Sequence, residues 1–214
     1  MDKEELYQII EAKKEEILSL SDKIWDYAEL SMLEVRSTKA YVELLKAEGF
    51  QVEENLCGIP TAFSGTYGSG SPKIGILGEY DALSGLSQVP GVAEKKPLVE
   101  DGCGQGCGHN LLGAASLAAA IAVKDAIAAG KLQGTVTFYG CPGEEGCAGK
   151  TFMARDGLFR DLDAAITCTR VPPTRSPPAP TPHVSKWSMS LPAPRPTPPE
   201  IPGRAGPPWT GRSS

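Results

Sequence analysis

Apolar residues at the start of the chain recur at helical spacing: Leu6, Ile9, Ile10, Ile17, Ile24, Trp25 and Ala28 fall on one face of residues 4–29. The segment RSTKAYVELLKAE at 36–48 repeats the pattern until Gly49 stops it, so two amphipathic helices are predicted to open the protein. After Gly49 the period shortens. FQVEE, TAFSGTY and KIGILGEYD read as strands, with the turn GSGSP at 68–72 between the last two and Ile74, Ile76 and Leu77 buried. A helix over about 109–129, a strand GTVTFYG at 134–140, a helix over about 147–157 and a strand DAAIT at 163–167 complete the series.

Strands that alternate with helices predict an α/β fold whose sheet is at least partly parallel. The most apolar stretch, LLGAASLAAAIAV at 111–123, ends after 13 residues at Lys124 and Asp125, short of the roughly 20 that span a bilayer, and is predicted to be a buried helix. The opening MDKEELYQII is charged and amphipathic and has no secretory signal pattern, which points to the cytoplasm. In that compartment the six cysteines (57, 103, 107, 141, 147 and 168) are expected to be thiols or metal ligands, not disulfides.

Charge divides the chain at residue 167. Of 21 Lys+Arg and 26 Asp+Glu, the last 47 residues hold 6 and 1, which leaves 15 and 25 for residues 1–167, a balance of −10. A body this acidic does not attract nucleic acid or anionic membranes.

In an open α/β sheet, ligands bind beyond the carboxyl ends of the strands. Three segments rich in ligand atoms fall there: Glu79-Tyr80-Asp81 after KIGIL, Cys107-Gly108-His109 before the apolar helix, and Glu144-Glu145 after GTVTFYG. Thiolate, imidazole and carboxylate are the ligand types of zinc-like metals, and a neighbouring carboxylate can serve as base towards a water that a metal activates. The glycines at 102, 104, 106 and 108 allow the backbone to come close to a bound group. Each element has a plainer reading: turn residues for Glu79 and Asp81, a dipole-complementing pair for Glu144-Glu145, an inert thiol for Cys107. Their joint placement favours a hydrolase site.

The strings GEYDAL (78–83), GCGHNLLGAA (106–115) and PGEEGCAGK (142–150), with SDKIWDYAEL at 21–30, resemble the M20 amidohydrolases and metallopeptidases, most of all their aminobenzoyl-glutamate-hydrolysing branch. The resemblance spans about residues 5–167. It implies a three-layer αβα metallopeptidase-type catalytic domain with a mixed, largely parallel sheet, of which this chain holds the N-terminal part. It also implies two divalent metals per complete site (zinc, manganese or cobalt). The substrates it implies are N-acyl amino acids or dipeptide-like small molecules. By the same resemblance Cys107, His109 and Glu145 are metal ligands, Glu144 is the general base, and Asp81 orients a ligand. Glu79 stands where many relatives have a histidine ligand, so no ligand role is carried onto it. Relatives form homo- or hetero-oligomers through a dimerisation domain that this chain lacks.

Ser84, Gln105, Cys141 and Cys147 depart from the family pattern without touching these roles. The larger departure follows Thr167. A Trp-His-Pro-like segment with a ligand histidine is expected there, and the chain reads Cys168-Thr169-Arg170. Residues 168–214 hold 14 of the 19 prolines and no apolar periodicity, a disordered, PPII-biased composition. Read one base over, the codons of Cys168 to Arg170 permit His-Pro, and those of Pro196 to Gly203 permit His-Ala-Ser-Gly-Asp-Pro-Trp, similar to a motif of the family's dimerisation domain. The tail is therefore expected to be out of frame, and the chain inactive. Two other readings are a structural zinc module built on Cys103, Cys107, Cys141 and Cys147, and a noncatalytic protein that binds partners through the proline-rich tail.

Overall fold

The computed structural model describes residues 3–169. The proline-rich tail and His183 lie outside the described residues.

The predicted opening helix is two, α1 (Lys3–Ala12) and α2 (Lys14–Tyr27), separated at Lys13, and α3 covers Val35–Ala47. Glu29, in the intervening loop, caps α3. Its carboxylate accepts hydrogen bonds from the backbone N–H of Arg36 (2.9 Å) and Ser37 (2.8 Å), groups that have no partner within the helix. Then come β1 (Gln51–Glu54), β2 (Phe63–Ser69), β3 (Lys73–Gly78), α4 (His109–Ala128), β4 (Gly134–Gly140), α5 (Glu144–Cys147), α6 (Gly149–Arg155) and β5 (Ala164–Thr167). The helix expected over about 147–157 is α6, and the short α5 precedes it as a separate turn. Ala148 adopts a left-handed conformation (φ 50°) that interrupts the ladder between them.

The strands form one mixed sheet in the order β1-β2-β4-β3-β5. β3 pairs in parallel with both β4 and β5, whereas β1–β2 and β2–β4 are antiparallel, so the ladders divide evenly between the two kinds. Alternation along the strands feeds two faces. Ile76, Val136 and Phe138 face α2, α3 and α4, while Leu77 and Tyr139 face Met153 of α6 with Leu158, Phe159 and Leu162 beside it. The result is helices on both sides of a sheet, an αβα arrangement. On the first face Tyr41, Phe63, Tyr80 and Phe138 pack with ring centroids 5.4–6.1 Å apart, all fully buried. Each such ring contributes about 2–3 kcal/mol by leaving water.

By length and composition α4 could cross a membrane. In this fold it is the core helix, buried along most of its length against the sheet and α2. Its one buried charge, Lys124, is paired. Lys124 Nζ donates to Glu48 Oε2 at 2.9 Å, and Lys13 Nζ bonds Glu48 Oε1 at 2.5 Å, with the Glu48 side chain only 6% exposed. This cluster ties the α1–α2 junction, the end of α3 and α4 together.

Burial alone would raise the Glu48 pKa, but the bonds from Lys13 and Lys124 outweigh it and hold the carboxyl below its usual 4.5. A depressed acid contributes stability that is fully present above its unfolded pKa and is lost as pH falls through the folded one. Urea denaturation of the chain at neutral pH and at decreasing pH below about 4.5 should therefore show a fall in stability. Glu48→Gln should remove roughly 3 kcal/mol at neutral pH and flatten that acid limb.

Candidate metal centre

Because β3 and β4 run in parallel, the segments that follow them open at the same sheet edge. Beyond β3 the extended backbone continues through Glu79, Tyr80 and Asp81. Tyr80 turns into the aromatic core, where its hydroxyl donates to the Thr61 carbonyl at 2.6 Å, and its two neighbours face the other way. Beyond β4 a three-residue turn delivers Glu144 and Glu145 in the first turn of α5. Gly108, in a left-handed conformation (φ 82°), starts α4, so His109 is its first residue. Gln105 supports this start, accepting from Asn110 N–H and donating to the Tyr80 carbonyl, each at 3.2 Å.

Gly113 sets how near α4 comes. A Cβ there would overlap both the Tyr41 hydroxyl and the Glu79 carbonyl, so the helix lies directly on the end of β3. The other glycines of this loop act differently from the expectation that they admit a bound group. Side chains at Gly104 and Gly106 would collide with Leu86, and one at Gly102 with Val99, so these three serve the loop's own packing.

Asp81, 1% exposed, joins the three segments. Its Oδ1 accepts from His109 Nδ1 at 2.9 Å, and its Oδ2 accepts from Glu145 N–H at 2.9 Å and from the Ser31 hydroxyl at 2.8 Å. Burial pushes the Asp81 pKa up, but the His109 bond and the backbone bond from Glu145 outweigh it and keep it low, so this carboxylate stays ionised. An ionised carboxylate only accepts, which places a proton on Nδ1 and leaves Nε2 as the outward-facing ring atom. Nε2 lies 3.1 Å from Glu79 Oε2 and 3.8 Å from both Glu144 Oε2 and Glu145 Oε1. The His109 pKa is raised: desolvation opposes the charge, and Asp81 with Glu79 outweighs desolvation.

Among the described residues two sets could hold a metal ion, Cys107 with His109 and Glu145, and Glu79 with His109 and Glu144, the ligand atoms of each lying within 4.8 Å of one another. Cys103, Cys141 and Cys147 belong to neither set. Cys141 is fully buried, with its thiol against the Tyr139 carbonyl, and Cys147 is exposed. The donors suit a divalent cation on three grounds. Thiol, imidazole and carboxylate are the ligands of zinc-like ions. Burial, then Glu145, push the Cys107 thiol up to about 11, so it ionises only with help from a positive charge. Finally, Glu145 Oε1 is buried without a hydrogen-bond partner among the described residues, and four carboxylates share the site with one lysine and one imidazole.

All five residues expected in the site converge here, Cys107, His109, Glu144 and Glu145 around Nε2 and Asp81 behind the ring. Residues outside that expected set also take part. Glu79 is buried against His109 Nε2, and Lys150 bonds Glu79 Oε1. The alternation Glu79-Tyr80-Asp81, with an aromatic between two acids on an extended segment, carried the signal for Glu79. Glu34, completely buried, accepts from the Gly143 N–H at 2.8 Å and so steadies the turn before Glu144, from 109 residues away in the chain. An open depression of about 330 Å³, lined by Leu30, Leu33, Ala82 and Leu83, borders the site at Glu145.

Residues 75–199 match peptidase family M20/M25/M40. The chain is 48% identical over 168 residues to a p-aminobenzoyl-glutamate hydrolase subunit of Escherichia coli (strain K12), an overlap that covers 77% of this chain and 35% of that protein. It thus spans about a third of the length of the curated relatives it matches. Among solved structures, the Bacillus subtilis YXEP protein, a dinuclear metal-binding peptidase from the M20 family, superposes with a TM-score of 0.57 at 24% identity, over 71% of this chain and 42% of that one. The aminobenzoyl-glutamate utilization protein from Klebsiella pneumoniae gives 0.55 at 17% identity, over 76% and 45%. Family match, fold and a hydrolase relative agree: the chain belongs to peptidase family M20/M25/M40.

Proposed function

We propose that this chain is the N-terminal part of a metal-dependent amidohydrolase that cleaves the amide bond of N-acyl amino acids or dipeptide-like molecules, of which aminobenzoyl-glutamate is the type. The observation that carries this reading is the His109 ring. Asp81 fixes its Nδ1, and its Nε2 is turned into a cluster of one thiol and three carboxylates. Cys107, His109 and Glu145 would hold a divalent cation, which when bound would acidify a water molecule. Glu144, the most exposed of the site's carboxylates, would serve as the base that accepts a proton from water. Burial, then the neighbouring Glu79, raise its pKa, which brings a base nearer to the working pH. Asp81 holds the histidine tautomer and, through the Glu145 N–H, the turn that carries both glutamates. The identity to a hydrolase subunit supports the substrate class, and the relative's being one subunit of its hydrolase supports a hetero-oligomeric assembly for the full-length enzyme.

Metal binding tests the centre. Purified chain freed of metal and titrated with cobalt(II) should develop a thiolate charge-transfer band. His109→Ala should abolish it, and Asp81→Asn should weaken binding by about 10–100-fold. Cys103→Ser should leave binding unchanged. Loss of metal on Cys103→Ser with retention on His109→Ala would instead favour a structural cysteine site.

Three protein ligands hold a metal less firmly than a complete binuclear set, and the chain spans about a third of its relatives. We infer that the 214-residue polypeptide does not hydrolyse aminobenzoyl-glutamate. Release of aminobenzoate by the purified chain above the metal-only rate would overturn this.

We further infer that residues 168–214 are the out-of-frame product of a one-base deletion near codon 168. The support is the composition change after Thr167 and the two family-like strings in one shifted frame, and the family match that runs on to residue 199 tells against it. Resequencing the DNA should reveal an open shifted frame that carries those strings, and stop codons within it would sink the idea.

A further inference from the structure

The two sets of possible metal ligands share His109, and this restricts what the site can hold. With Nδ1 committed to Asp81, the ring has one nitrogen left, so a second ion beside one at Cys107 would rest on the Glu79 and Glu144 carboxylates alone. The sets differ in what already occupies them. Among the described residues, Cys107 and Glu145 have no cation of their own beyond the shared imidazole. Glu79 has one: Lys150 Nζ bonds Glu79 Oε1, while Glu79 Oε2 faces His109 Nε2 at 3.1 Å.

This lysine is placed by the fold. Lys150 is the second residue of α6, and Gly149 before it lies so close to the Pro142 carbonyl that a Cβ would overlap it. The start of α6 is thereby pinned to the turn after β4. The ammonium is 27% exposed and the carboxylate it meets 9%, so the pair is largely shielded from water. A divalent cation at Glu79 and Glu144 would have to share Glu79 with a positive charge already bonded to it, and in a shielded site that repulsion is strong.

We propose that Lys150 acts as the second cation of this centre, filling electrostatically the place of a second metal, so that this chain binds one divalent ion through Cys107, His109 and Glu145 and not two. The inference rests on the reading of those three residues as metal ligands. Lys150 is a positioning residue: it holds Glu79 against the His109 ring and withdraws that carboxylate from coordination.

The test is the stoichiometry of zinc bound to the purified 214-residue chain, measured by calorimetric titration and by metal analysis after gel filtration, with circular dichroism to verify folding. The wild-type chain should bind one equivalent and Lys150→Met two. Lys150→Arg, which keeps the charge and the bond, should bind one. Lys150→Met combined with Glu79→Gln should return to one, because the freed carboxylate is what recruits the second ion. Two equivalents in the wild-type chain, or one in a folded Lys150→Met, overturns the proposal and leaves the Cys107 site standing. No zinc bound by the wild-type chain overturns that site and the proposal with it. If Lys150→Met does not fold, Lys150→Gln serves in its place with the same expected second equivalent.

Discussion

The site depends on a carboxylate that never meets the solvent. Asp81 is held by three donors from three separate stretches of chain: the imidazole that opens α4, the backbone N–H of Glu145 in α5, and the hydroxyl of Ser31 in the loop between α2 and α3. Hydrogen bonds to a charged group contribute about 1.5–3 kcal/mol each, and an unpaired buried carboxylate costs more than that, so the arrangement holds together only while all three are made. Orientation of His109 and placement of the Glu144–Glu145 turn are therefore one structural fact. Glu34 adds a second anchor to the same turn through Gly143, and it too is a buried carboxylate that accepts a backbone donor.

Behind that joint stands the parallel pairing of β3 with β4, which brings two distant loops to one edge. A register shift of one residue would reverse the alternation after Gly78, sending Tyr80 into the site and Glu79 and Asp81 into the aromatic core. The aromatic cluster prevents this. Tyr80 is packed against Tyr41 and Phe63 and bonded to the Thr61 carbonyl, and no carboxylate could take its place there. Gly113 completes the geometry by letting α4 touch the strand end. Core packing and site geometry are enforced by the same residues.

Much of this is legible in the sequence because it is local. Periodicity locates the strands and the long helix to within about three residues, and the three ligand-bearing segments follow from where strands end. What escapes is what distance in the chain conceals. The Glu29 cap on α3, the Ser31 bond to Asp81 and the Glu34 bond to Gly143 join residues with no shared pattern. Lys124 looks like the polar end of an apolar run, and Glu48, 76 residues earlier, together with the adjacent Asp125 explains how it is buried. The break at Ala148 has no sequence signal, since alanine ordinarily favours the helix. The glycines before His109 suggest room for a bound group, yet Leu86 and Val99 of the same loop fill the space beside them.

Glu79 shows why a missing family residue is not an empty position. Where the family resemblance implies a histidine ligand, this chain has a carboxylate, and a carboxylate in a shielded place requires a countercharge. Lys150 provides it from one side and the His109 ring from the other. The remaining carboxylates are then pushed in opposite directions by their surroundings. Asp81, saturated with donors, stays ionised and structural, whereas Glu144 is raised above its usual value by burial and then by Glu79 nearby. Four acids in one cleft do different work because donors are distributed unequally among them, and that distribution follows from which of them the fold buries.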